Sequence, residues 1–155
     1  MKPLRLYVLV ADGAQARFLN YVDRKAGAST IDDQVFRSHA EPSRSIGSDK
    51  PGRTFDSKGH GRHTIEPRVD LHDEKEKQFL AGIVRKLEEV FHNHAFDDLF
   101  VIAAPRALGV IRHLLSTPLQ QRVIGEISGD YTRYNDRDIS RLVTEALPSE
   151  LKVRA

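Results

Sequence analysis

The sequence predicts an α/β protein of the α+β kind, with a mixed five-stranded sheet and helices on its faces in the order β-β-β-loop-α-β-α-β-α. Three observations predict it. Strand-length apolar runs open the chain three times, with connections too short for helical crossovers, as in an antiparallel meander. Helical three-and-four spacing of apolar residues first appears after residue 70. From there, helix-length and strand-length patterns alternate.

The first strand is Leu4 to Ala11 (Leu-Arg-Leu-Tyr-Val-Leu-Val-Ala), apolar on both alternating faces and hence central, and Asp12-Gly13 ends it. Arg17 to Val22 is the second strand and Thr30 to Ser38 the third, joined by a turn through Asp23 to Ser29 with Gly27. Asp70 is placed to cap a helix reaching about His92, whose Phe79, Leu80, Ile83, Val84, Leu87, Val90 and Phe91 form one stripe against a core. Leu99 to Ala103 is a buried-strand run. Pro105 then suits the first turn of a helix carrying Leu108, Ile111, Leu114 and Leu115. Val123 to Ser128 is the fifth strand. Asn135, with Asp138 three residues on, starts a last helix bearing Ile139, Leu142, Val143, Ala146 and Leu147.

The 155 residues fit one domain, 1–155, and 39% hydrophobic with 30% charged residues is ordinary for a globular protein. No internal repeat or domain boundary is visible. No run approaches the roughly 20 apolar residues of a membrane helix. Leu4 to Val10 is too short and too interrupted by Arg5 for a signal-peptide core, so a cytoplasmic location without a membrane partner is expected. The absence of cysteine removes disulfides, thiolate metal sites and thiol nucleophiles. Chemistry falls to oxygen and nitrogen groups, and no cofactor is called for.

Net charge is only +2, but its distribution is uneven. Between Arg37 and Arg68 stand Arg37, Arg44, Lys50, Arg53, Lys58, Arg62 and Arg68, with His39, His60 and His63, against Glu41, Asp49, Asp56 and Glu66. The stretch at about 40–69 is long, glycine-rich and almost free of core-forming residues. Connections of that length are usually binding loops, lids or linkers. A basic loop suits a phosphate-bearing partner, since neutralising phosphates releases counterions. Lys50, Arg53, Lys58, Arg62 and Arg68 are the expected RNA or phosphate contacts, with Gly52, Gly59 and Gly61 letting the backbone approach closely. In the alternative, a protein partner is anchored by Phe55 and Ile65.

Other constellations carry less. Gly47 to Thr54 has the outline of a nucleotide-binding loop, but Arg53 takes the lysine position and neither a preceding buried strand nor a following helix is expected. His60, His63, Glu66, Asp70 and His72 are potential zinc ligands close in sequence. Gly59, Gly61 and Pro67 imply irregular backbone there, so no metal site is assigned. Asp12, Asp98 and Asp130 fall near strand ends and would form a two-metal site if the sheet gathered them; ordinary turn chemistry explains them more simply. Ser57 with His60 or His63 lacks an orienting acid and an oxyanion hole.

Four blocks, Val8 to Phe18, Ser48 to Ser57, Arg62 to Pro67 and Val101 to Gly109, together resemble the bacterial host-attachment protein family over nearly the whole chain. Members of that family look like the central domain of archaeal and eukaryotic peptide-chain release factors and Pelota. The resemblance implies a segment facing ribosome or tRNA, with Lys58-Gly59-His60-Gly61-Arg62-His63 in place of the loop that promotes peptidyl-tRNA hydrolysis. Gly-Gly-Gln, which carries that activity, is absent. A hydrolytic role would fall to His60 or His63 as the group positioning water.

Overall fold

The computed structural model describes residues 5–38 and 61–148, with residues 61–70 described by their backbone. Five strands form one sheet: β1 (Leu6–Ala11), β2 (Gln15–Tyr21), β3 (Ala28–Arg37), β4 (Asp98–Ala103) and β5 (Val123–Ser128). Helices α1 (Gly61–His92), α2 (Pro105–Leu114), the short α3 (Thr117–Gln120) and α4 (Asp136–Ala146) complete the order. Apart from α3, this is the predicted sequence of elements.

The strand order is β3-β2-β1-β4-β5. β1 pairs antiparallel with β2 and β2 with β3, the expected meander. β4 lies parallel to β1, and β5 parallel to β4. The two crossovers that carry α1 and α2 advance in the same direction across the sheet, so a common handedness puts both helices on one face. Their apolar stripes lie there: Leu80, Ile83, Val84 and Leu87 of α1, with Ala107, Leu108 and Ile111 of α2, cover Leu9, Phe18, Leu99 and Val101. On the other face, Ile139 and Val143 of α4, with Leu147, cover Val8, Leu19, Tyr21, Phe100 and Ile102. β1 and β4 are therefore buried on both sides, as their unbroken apolar runs require.

Local signals set the ends. Asn135 accepts a hydrogen bond from the Asp138 backbone N–H at 2.8 Å, capping α4 as its spacing predicts. Pro105 opens α2. His94 takes a left-handed φ of 64° just past α1, and its N–H and that of Ala95 bond back to Phe91 and Val90. At the β3 edge the register slips between Arg17 and Leu19, so residues 31–34 form an excursion in which Asp33 adopts φ 72°.

The start of α1 differs from expectation. The helix begins at Gly61 and not at Asp70, so Gly61 opens a helix where a loop was anticipated, and Pro67 lies within it. Pro67 lacks the N–H its turn would use. Extension beyond a packed helix is nevertheless far easier than nucleation, and the packed part at Leu80 to Leu87 supplies the nucleus. At 1.5 Å per residue the 32 residues of α1 span about 48 Å, against roughly 20 Å for a six-residue strand.

Candidate functional site

The parallel strands β1, β4 and β5 end on the same edge of the sheet, and the loops after β1 and β5 carry a dense polar network. After β1, one carboxylate oxygen of Asp12 accepts the backbone N–H groups of Ala14 and Gln15, each at 2.8 Å. The hydroxyl of Thr132, after β5, lies 3.3 Å from the other oxygen of Asp12 and 3.0 Å from Asp130. It has one proton to donate to these two carboxylates and also accepts from Gln15 Nε2 at 3.4 Å.

Arg17 of β2 fastens the same loop. Its Nη1 donates to the Thr132 carbonyl at 2.9 Å, its Nη2 to the Tyr134 carbonyl at 2.6 Å, and its Nε to Thr30 Oγ1 at 3.1 Å. Asp136, at the start of α4, stands 3.5 Å from Nη2 and accepts from the Thr30 hydroxyl at 2.7 Å and the Thr30 N–H at 2.8 Å. These groups satisfy one another. Their arrangement holds the loop 129–135 in place and leaves no activated nucleophile.

α1 docks over the same edge. A Cβ added to Gly13 would lie 2.7 Å from the carboxyl carbon of Glu76, so the Asp12-Gly13 turn meets the Glu76 side chain of α1 directly, and a side chain there would have to displace that carboxylate. His72 Nε2 is 3.1 Å from Glu76. Arg106, in the first turn of α2, pairs with Asp73; that hydrogen bond first, then the charges of Asp73 and Glu76, raise the guanidinium pKa above its ordinary value. From Glu76 back to Gly61 α1 continues for 15 residues (76 − 61), about 22 Å of helix.

A groove of about 580 Å³ runs between α1 and α2, with Ala81, Gly109, Val110 and Leu114 along it and Lys77 and His113 at its rim. A Cβ added to Gly109 would meet nothing within 4 Å.

The sequence-derived candidates are distributed as follows. His60, Lys50, Arg53, Lys58, Gly52, Gly59 and Phe55 lie outside the described residues, as does the Gly47 to Thr54 stretch. Gly61, Arg62, His63, Ile65 and Arg68 are in the first turns of α1. Asp12 and Asp130 do come together, bridged by Thr132. Asp98 does not join them: it sits opposite Leu6 in the parallel register, five residues below the edge that Ala11 and Ala103 share, roughly 17 Å away. The three-aspartate metal grouping is thereby ruled out. Among the described residues no group of three or more His, Asp or Glu side chains is placed to hold a metal ion. Nor is any described helix long and apolar enough to cross a membrane.

The sequence reading assigned no role to Arg17, Thr132, Tyr134 or Asp136. Only Arg17 carries a signal, because an arginine inside a strand that packs on both faces has little access to water and must find acceptors.

Fold and site define a three-layer α/β/α domain whose sheet edge is tied by a polar network and overhung by one long helix. The family of proteins required for attachment to host cells matches residues 7–143, and the chain belongs to that family. An uncharacterized protein of Rickettsia prowazekii (strain Madrid E) is 30% identical over 81 residues. That match covers 51% of this chain and 54% of the relative, so the chain spans about half the relative's length.

Proposed function

We propose that this host-attachment family protein is an RNA-facing module, acting on ribosome or tRNA, whose basic segment contacts phosphates. The observation that carries the reading is charge segregation. Residues 37–68 hold seven Lys and Arg against four Asp and Glu, a balance of +3, while the remaining 17 basic and 18 acidic residues balance at −1. That segment runs into the first turns of α1, the element that extends beyond the sheet edge. The positive end of a helix dipole adds to the attraction for phosphate. The likeness to release-factor central domains belongs to this proposal, as does a cytoplasmic location.

The test is binding of purified protein to ribosomes, tRNA and a neutral polymer across a salt series, beside a variant with Lys50, Arg53, Lys58 and Arg62 replaced by Ala. Wild-type binding should weaken steeply with salt, and the variant should bind far less. Equal RNA affinity in the variant would overturn the reading. Peptidyl-tRNA hydrolysis is the stronger form of the proposal. It requires His63→Ala to lower turnover with binding kept, and unchanged turnover removes His63 from the mechanism.

A second reading, a regulatory role through a protein partner, is favoured by the α1–α2 groove. In this reading the groove, together with Phe55 and Ile65, receives the partner. Gly109→Trp, which fills the groove, should then abolish partner binding and leave RNA binding unchanged.

A further inference from the structure

The loop between β5 and α4 presents one large aromatic side chain that the fold leaves uncovered. Tyr134 is 44% exposed. Its backbone is fixed twice, by its N–H to the Tyr131 carbonyl at 3.0 Å and by its carbonyl to Arg17 at 2.6 Å. Its ring meets that of Tyr131 edge to face, with centroids 4.8 Å apart and planes at 83°. Tyr131 in turn packs on the α4-side core, and a Cβ added to Gly129 would fall 2.6 Å from its ring. In an edge-to-face pair at least one face of Tyr134 is left open by Tyr131, whichever ring supplies the edge.

We propose that Tyr134 is a stacking platform for an unpaired base of single-stranded RNA, an inference that rests on the RNA-facing reading above. Its backbone is pinned by Arg17 and its ring rests against a second tyrosine, so the side chain is held although it is exposed. Base stacking needs such a preorganised ring, and it needs a base free of its own helix, which selects single strands over duplex. The stretch 129–141 is electroneutral: Arg133, Arg137 and Arg141 stand against Asp130, Asp136 and Asp138. This loop therefore contributes stacking, and phosphate attraction comes from elsewhere. The basic segment starts on this same edge: its Arg37 ends β3, and Ser38 donates its N–H to the Ala14 carbonyl in the turn that Asp12 organises.

The experiment is fluorescence anisotropy with a labelled twelve-residue oligouridylate and a duplex RNA of equal length, over a salt series, for wild type, Tyr134→Ala and Tyr134→Phe. Stacking on one aromatic residue predicts that Tyr134→Ala binds the single strand about tenfold more weakly, with the salt slope unchanged. Tyr134→Phe should bind like wild type, and duplex binding should shift less than twofold. Wild-type affinity of Tyr134→Ala for the single strand would overturn the platform while leaving the RNA reading intact. Failure of wild type to bind either RNA at low salt would overturn both. A loss in Tyr134→Ala accompanied by a reduced salt slope would also overturn it, since the residue would then act through charge.

Discussion

Replacing Arg17 by Lys separates the geometry of this side chain from its charge. The guanidinium serves four oxygens at once: Thr30 Oγ1, the Thr132 and Tyr134 carbonyls, and the Asp136 carboxylate. A lysine ammonium keeps the positive charge near Asp136 but cannot reproduce the planar fork, and from the same Cα it reaches one of the two carbonyls. Hydrogen bonds to charged groups contribute about 1.5–3 kcal/mol each. The Tyr134 side of the site is exposed, and Asp136 keeps both bonds from Thr30, so water and Thr30 recover part of the loss. A net destabilisation of about 2–3 kcal/mol follows, which for a chain of this size is roughly 4–12 °C in Tm. Thermal unfolding followed by circular dichroism reads the total, and amide exchange at residues 132–136 reads whether the loop loosens first. A Tm within about 1 °C of wild type, or unchanged exchange there, would refute the view that Arg17 fixes this loop.

Four other perturbations test the fold around the site. Gly109→Ala, on an exposed face of α2 with open space at its Cβ, should stabilise by about 0.5–1 kcal/mol in urea unfolding. Gly125→Ala should destabilise by about 1–3 kcal/mol, because the new methyl group would lie 2.9 Å from Phe100 Cδ2 and closer still to the next ring atom, in a fully buried ring; equal stability would show that Phe100 gives way freely. Tyr7 is buried against Phe96, and that burial raises its phenol pKa, so the folded state holds the proton to higher pH than the unfolded chain. Its contribution is intact below about pH 10 and is lost as pH rises through the folded value; Tyr7→Phe should flatten the alkaline fall of the urea midpoint, and parallel curves for the two proteins would refute this. Arg106→Ala breaks the pair with Asp73 and should speed amide exchange in the neighbouring turns of α1, with unchanged rates showing that the apolar stripe and the Gly13–Glu76 contact seat the helix without this pair.

Apart from the short α3, local patterns along the chain were enough to set the element order and the class of sheet. A run apolar on both alternating faces marked β1 as a strand covered on two sides, a short apolar run marked β4 as a buried strand, the three-and-four stripe from Phe79 to Phe91 marked the packed half of α1, and Asn135 marked the start of α4, because each of these is a local pattern. The sequence also located the basic segment, since charge is additive along the chain. The tertiary structure decided what depends on distant residues meeting. Asp12 and Asp130 lie 118 positions apart yet share Thr132, while Asp98 falls at the other end of the sheet because β1 and β4 are in parallel register. The helix start at Gly61 was hidden by Gly59, Gly61 and Pro67, local breaker signals that the cooperative growth of a packed helix overrides. Arg17, Tyr131 and Tyr134 became a unit only when β2 and the loop after β5 were folded onto one edge, a juxtaposition with no local signature.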